Sequence, residues 1–291
     1  MSHYFYLPFI ILLFFSDTLK AQMLGSVTSK RREYEQIRRS SIGLLPHKQM
    51  YLMPISHNWL THNDIYEGFG ESEENEGDIY RSSEAEFQIS FAVPVVKGIG
   101  GKDWDVMVAY THQAFWQVYN PGWSRPFRET NYMPELFSRY LYKHPKEFSS
   151  IKLHGVDAGY IHQSNGQVHQ LSRSWDRLFV RGLFEFKGLY AQVSVWHRIR
   201  ESRKIDDNRD ITKFMGYGEV ELTKSFNKHT FHVKGPIFSK YLGYDVKYSY
   251  PLSEGIRWFV NYRSGYGQSL IEYDRQTQRI GAGFMLDHVI Y

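Results

Sequence analysis

Trp104-Asp105-Val106-Met107-Val108-Ala109-Tyr110 shows in seven residues the pattern that runs through the chain. Trp104, Val106, Val108 and Tyr110 fall on one side of an extended chain, and Asp105, Met107 and Ala109 on the other. A period of two is the signature of a strand with two different faces. The same alternation recurs on both sides of it. Phe87, Ile89, Phe91 and Val93 interleave with Gln88, Ser90 and Ala92. Val156, Ala158 and Tyr160 interleave with Asp157 and Gly159. Leu178, Val180 and Phe184 interleave with Arg177, Arg181 and Glu185. Tyr190–His197, Tyr244–Tyr250, Arg257–Tyr262 and Ile280–Leu286 continue the theme. Turn-forming residues separate these runs, among them Asn120-Pro121-Gly122, Asn165-Gly166, Asn227-Lys228 and Pro251–Gly255.

Many of these segments run to about ten residues, and their second face carries Arg, Asp, Glu and Gly. That is the pattern of a transmembrane barrel, apolar outside and polar inside, rather than of a sandwich bathed in water. The chain has 291 residues, 22 Tyr, 20 Phe and 7 Trp, and aromatics make up 17%. Rings that are apolar at one end and wet at the other suit the two interfaces of a bilayer. Trp104, Trp116, Trp123, Trp175, Trp196 and Trp258 are therefore expected as girdle anchors. Arg177, Arg181, Glu185, Arg198 and Arg200 are expected in the lumen, and His229 and His232 in a loop or at a rim. At roughly 22 residues per strand and connection, the length predicts an all-β transmembrane antiparallel barrel of about twelve strands, an even count, and periodicity alone does not separate about ten from about fourteen.

Tyr4–Phe15 is the one long apolar run. It is too short for a spanning helix and has the length of a secretory h-region. The reading is a signal peptide over 1–21 with Ala21 as its last residue, against an N-terminal apolar strand or an uncleaved anchor. The barrel then occupies 22–291, with 22–83 an arm and first strand. Glu67–Glu76 reads as an acidic loop, and Lys30–Arg39 as a solvated basic arm rather than a short surface helix. The 35 Lys+Arg and 31 Asp+Glu are interspersed, giving a net charge of +4, so no nucleic-acid partner is expected. The absence of cysteine excludes a disulfide scaffold, a thiolate metal site and a cysteine nucleophile.

Tyr160-Ile161-His162-Gln163-Ser164-Asn165-Gly166 holds the chemistry. His162 and Ser164, two apart, share the lipid-facing side of a strand. A His and a Ser there are not what membrane burial alone selects. If the following hairpin is symmetric about His169, His162 lies opposite Asp176 and Ser164 opposite Ser174. Directly opposed residues have Cβ atoms about 4.5–5.5 Å apart. Acid, base and hydroxyl would then share one face, as nucleophilic acyl transfer needs. A His-x-Ser pair also arises by chance, and a lone strand His is usually only a hydrogen-bonded residue.

Gly159–Asp176 (GYIHQSNGQVHQLSRSWD) resembles the active-site segment of the outer-membrane phospholipases A, with the pattern Y-x-H-x-S-N-G followed by S-R-S-W-N. Ser124–Phe137, Asp210–Gly216 and Gly265–Tyr273 extend the resemblance from about residue 84 to the end. It implies a twelve-stranded barrel in a bacterial outer membrane that hydrolyses phospholipid acyl esters at either glycerol position, covering A1, A2 and lysophospholipase action. It also implies a calcium-activated homodimer with its site on the outer wall, level with the headgroups. On that resemblance Ser164 is the nucleophile, His162 the general base and Asp176 the third member. The N–H of Gly166 helps to hold the oxyanion. Calcium falls to Gln167 through its main-chain carbonyl, to Ser172, and to Ser124 of the second protomer, all oxygen donors suited to a hard cation. Two residues depart from the family's habit, and a third adds charge nearby. Asp176 stands where the pattern has Asn, which keeps an orienting acceptor and adds a charge near lipid. His169 replaces a frequent carboxylate, and Arg125 adds positive charge beside Ser124; both weigh against tight calcium binding. The competing expectations are an idle barrel of the same ancestry with a pore or structural role, and a soluble secreted sandwich.

Overall fold

The computed structural model describes residues 43–67, 77–101, 103–202, 204 and 206–287, together with Glu35, Gln36, Arg38 and Ser40. The expected leader over 1–21 and most of the acidic loop lie outside these residues. Thirteen strands follow one another: β1 (Leu45–Pro46), β2 (Tyr51–Asn58), β3 (Ser83–Val96), β4 (Trp104–Trp116), β5 (Phe127–Phe148), β6 (Ile151–Ser164), β7 (Ser174–Phe186), β8 (Leu189–Ile199), β9 (Gly218–Phe226), β10 (His229–Ile237), β11 (Gly243–Ser253), β12 (Ile256–Gly265) and β13 (Thr277–Leu286). Every neighbour from β2 to β13 pairs antiparallel, and β13 returns to β2. The sheet therefore closes as a twelve-stranded barrel and leaves no open edge. The short β1 pairs with β3 at Ala92 and Phe91, in line with β2 further along the same strand. Between them the chain dips inward and delivers His47 and Lys48 to Glu135, each at 3.0 Å.

The twelve-fold closure follows from the alternation. In β13, Thr277, Arg279, Gly281, Gly283 and Met285 are buried, while Gln278, Ile280, Ala282, Phe284 and Leu286 are exposed. Leu52, Ile89, Val108, Leu136, Leu178, Val180 and Val195 likewise face outward. In lipid this outward set is the buried one. Two-residue turns at 149–150, 187–188, 227–228 and 254–255 join the strands at one end. Lys187 and Gly188 both have positive φ, at 48° and 71°, as a twist-matched hairpin turn demands. Apart from 97–103, which joins β3 to β4 at the turn end, the longer connections gather at the opposite end, which carries the loops 59–82, 117–126, 165–173, 200–217, 238–242 and 266–276. At the turn end Trp104, Tyr140 and Tyr142 stack edge to face. At the loop end Trp116 and Phe127 stack at 5.3 Å.

The lumen is packed with paired charges. Arg139 clasps Asp157 with two bonds of 2.8 Å. Arg181 reaches Glu135 at 3.0 Å. Arg263 bridges Glu86 and Asp245. Arg128 is fully enclosed and bridges Glu84 at 2.8 Å and Glu272 at 2.9 Å, tying β5 to β3 and to the loop 266–276. A cavity of about 210 Å³ remains among these groups. His232 belongs to this interior, beside Thr223, and not to a rim. Trp175 and Trp196 also depart from the girdle expectation. Both turn inward, and the Arg177 guanidinium lies 3.7 Å from the Trp175 ring centre and 5.2 Å from that of Trp196. Strand parity explains this, since Trp175 alternates with the outward Asp176.

Candidate active site on the outer wall

β6 and β7 are in the register that the spacing predicts: His162 opposite Asp176, and Ser164 opposite Ser174. His162 and Ser164 therefore share the outward face with Asp176, at the loop end of the wall. The Nδ1 of His162 lies 2.8 Å from Oδ1 of Asp176. An Nδ1–H donated to the carboxylate leaves Nε2 as the basic nitrogen. The His162 side chain keeps 35% of its surface and that of Asp176 22%, so the pair is open to an approaching lipid. Among the described residues no Lys or Arg pairs with Asp176. Its second partner is Tyr160, whose hydroxyl donates to the same Oδ1 at 2.5 Å.

The inner face of the hairpin is pinned just as firmly. Gln163, which sits between His162 and Ser164, points into the barrel. Its Oε1 accepts from Trp175 Nε1 at 3.0 Å and from Arg177 Nη2 at 2.8 Å. Trp175 is entirely buried. Gln163 and Trp175 are themselves cross-strand partners, so the clamp lies between the two outward pairs.

The loop 165–173 is organised by Asn165, which is buried. Its Nδ2 donates to the Leu171 carbonyl at 2.8 Å and to Glu129 Oε2 at 3.3 Å. Its Oδ1 accepts from the N–H of Arg173 at 2.9 Å and of Gln167 at 3.3 Å. Glu129 also accepts from Asn131 and from the Ile271 N–H, so one polar knot fixes this loop and the loop 266–276. Sequence reasoning treated Asn165 as a turn residue only. Its place one step past Ser164 with inward parity is the signal that could have found it. Leu171 anchors the far side of the loop among Tyr66, Ile79, Tyr80 and Ile271.

Gly166 follows with φ +66°, in the left-handed region. A Cβ there would come within 2.9 Å of Tyr132 Cε2. Tyr132 is the register partner of Ser164 on β5. The ring and the glycine thus fix where the Gly166 N–H stands relative to the serine. Gln167 and Ser172 sit on the same loop, both half-buried, and Ser172 ends the short 3-10 turn His169–Leu171. Ser124 is exposed on the neighbouring loop 117–126, with φ +52°. The structure thus joins Ser164, His162, Asp176 and Gly166 in one hairpin and places Ser124 on a separate connection. The hydroxyls of Ser172 and Ser124 make no hydrogen bond among the described residues. No group of three His, Cys, Asp or Glu able to hold a metal occurs there either. Arg173 donates to the carbonyls of Ser172 and Gln170 at 2.7 and 2.8 Å.

Two loop groups titrate abnormally nearby. Burial, then the carboxylates of Asp206 and Asp176, push the Glu201 carboxyl up. Burial and a hydrogen bond to Asp210 hold the Tyr273 phenol well above its usual range.

Fold and site together define a class: a closed transmembrane barrel with a serine, a histidine and an aspartate grouped on its lipid-facing wall. The sequence profile of the family described as "Phospholipase A1" matches residues 27–286. Phospholipase A1 of Salmonella typhimurium is 37% identical over 211 residues, 72% of this chain and 71% of that one. Outer membrane phospholipase A from Escherichia coli superposes with a TM-score of 0.78 at 32% identity, covering 86% of this chain and 94% of that one. The Salmonella typhi outer membrane phospholipase dimer with bound calcium gives 0.79 at 32% identity, covering 89% and 98%. The chain belongs to the phospholipase A1 family of ester hydrolases, and it is an outer-membrane β-barrel.

Proposed function

We propose that this chain hydrolyses acyl esters of membrane phospholipids at either glycerol position, and of lysophospholipids, from the outer face of its wall. The observation that carries the reading is the His162–Asp176 contact at 2.8 Å on the outward face, with Ser164 beside it. Asp176 holds the Nδ1–H and orients the ring, and Nε2 takes the Ser164 proton. Ser164 Oγ attacks the ester carbonyl carbon, and the carbonyl π pair moves to oxygen. The Gly166 N–H stabilises that oxyanion, an interaction that strengthens only as charge develops. As the tetrahedral species collapses, His162 returns the proton to the departing glycerol oxygen. A water, deprotonated by the same Nε2, then releases the fatty acid and restores Ser164.

The loop oxygens fit calcium by type: a main-chain carbonyl at Gln167 and hydroxyls at Ser172 and Ser124 that no other described group occupies. All three are neutral, so one chain offers a partial donor set that a second copy would complete, with Ser124 contributed across the dimer. Bound there, calcium would supply positive charge that stabilises the developing oxyanion. The relative whose structure is a calcium-bound dimer supports the same reading. The leader over 1–21 is part of this proposal, since an outer-membrane protein must be exported.

The test is fatty-acid release from mixed phospholipid–detergent micelles by the refolded chain, with calcium or with chelator, beside Ser164→Ala. Positionally labelled substrates report the two ester positions. Calcium-dependent release that Ser164→Ala abolishes is the expected outcome. Release that ignores chelator removes the metal from the proposal, and release that survives Ser164→Ala removes the serine.

A further inference from the structure

Sequence parity puts Tyr160 on the lipid-facing stripe with Val156 and Ala158, where it would count as another apolar anchor. Its hydroxyl instead ends on the carboxylate that orients His162. We infer that Tyr160 is a positioning residue for the hydrolytic site, holding the Asp176 carboxylate through its phenol. This rests on the function proposed above and adds a fourth member to it.

A carboxylate on a membrane-facing wall loses hydration and requires donors. Among the described residues Asp176 has two, His162 Nδ1 at 2.8 Å and Tyr160 Oη at 2.5 Å, and both meet Oδ1. A carboxylate held by His162 alone could rotate about its last torsion and offer the ring either oxygen. The second donor on the same oxygen fixes which one His162 faces. The cross-strand frame makes this possible. Tyr160 is opposite Leu178, one outward step from the His162–Asp176 pair, so its ring lies along the wall and its hydroxyl reaches the neighbouring strand. The ring remains partly exposed, as a residue that touches both lipid and site should be. A hydrogen bond to an ionised acceptor is roughly twice as strong as a neutral one. The aspartate therefore makes the tyrosine matter more than an asparagine at 176 would.

The experiment is a double-mutant cycle read by steady-state fatty-acid release. Tyr160→Phe keeps the ring and removes the donor. It should lower kcat about tenfold with KM within twofold, because the substrate loses no contact. In an Asp176→Ala background the same change should be silent, since no carboxylate remains to hold. In Asp176→Asn it should cost about threefold. A merely structural tyrosine predicts the same factor in all three backgrounds, and that result overturns the inference. So does a Tyr160→Phe enzyme with wild-type kcat. Ser164→Ala is run beside the cycle: if it still releases fatty acid, the hydrolytic reading has failed. If it is dead while Tyr160→Phe is unaffected, only the role of Tyr160 has failed. Heat-modifiable migration of each variant on gels confirms a folded barrel.

Discussion

Replacing Asn165 by Ala should loosen the catalytic loop without opening the barrel. The side chain makes four hydrogen bonds, at 2.8 and 2.9 Å to Leu171 and Arg173 and at 3.3 Å to Glu129 and Gln167. A net bond contributes about 0.5–1.5 kcal/mol, and the two long ones belong at the weak end. Their sum is about 3 kcal/mol, lost from a loop held otherwise by Leu171 and by the Asn165 N–H to the Arg173 carbonyl. Three kcal/mol is about a hundredfold in the equilibrium between ordered and open loop. Activity should fall at least tenfold through kcat, because the Gly166 N–H no longer stays beside Ser164. Asn165→Asp separates the contributions. It keeps the acceptor but turns a second carboxylate toward Glu129 and the Leu171 carbonyl, so it should be no better than Ala. The assay is fatty-acid release paired with limited proteolysis, which should cut within 165–173 in the variants and spare the wild type. Urea unfolding in lipid vesicles should move little, since the strand ladders are intact. A kcat within twofold of wild type, or a barrel that melts with the loop, would refute the reasoning.

Other outcomes follow from the same geometry. Gly166→Ala forces a side chain into φ +66° and against Tyr132, so kcat should drop ten- to a hundredfold; the check is release by a variant that still shows heat-modifiable migration. Asp176→Asn keeps an acceptor for Nδ1 but gives up the charge, and a three- to thirtyfold loss in kcat is expected, with Asp176→Ala clearly worse. Arg128→Met leaves Glu272 inside the wall without a cation, while Glu84 keeps Arg279, and breaking a buried pair costs about 3–5 kcal/mol; the urea midpoint should fall accordingly. Ser172→Ala should raise the calcium concentration for half-maximal release several-fold while leaving the rate at saturating calcium nearly intact; an unchanged titration would take Ser172 out of the metal site.

The barrel was legible because membrane burial leaves a strict two-residue alternation, visible in Trp104–Tyr110 and again in Ile280–Leu286. The His162–Asp176 register was legible for a related reason: a hairpin between two such strands has few ways to keep both apolar faces outward. What did not show were side chains whose role depends on reach rather than parity. Trp175 and Trp196 looked like interface anchors by residue type, yet parity sends both inward to stack on Arg177. Tyr160 has lipid-facing parity but a hydroxyl long enough to cross to β7. Asn165 is a turn residue by composition, and only the buried knot with Glu129 and Leu171 reveals that it organises the loop. The dip at His47 and Lys48 was equally hidden, because it is set by Glu135 on a distant strand.

The closure of β13 on β2 has a consequence for how the molecule is made. Met285 pairs with Tyr51 and Arg279 with Asn58, so the last seam joins opposite ends of the chain. Apart from the short β1, which pairs with β3, every other pairing in the wall is between consecutive strands. The seam carries the largest loop-closure entropy and must form after the rest is present. Until it does, the sheet has two bare edges and an apolar outer face, the form most open to pairing with another chain. The vulnerable species in biogenesis is thus a nearly complete barrel with one unsealed seam. Substitutions along Tyr51–Asn58 or Thr277–Leu286 should tax assembly yield more than the stability of barrels already sealed.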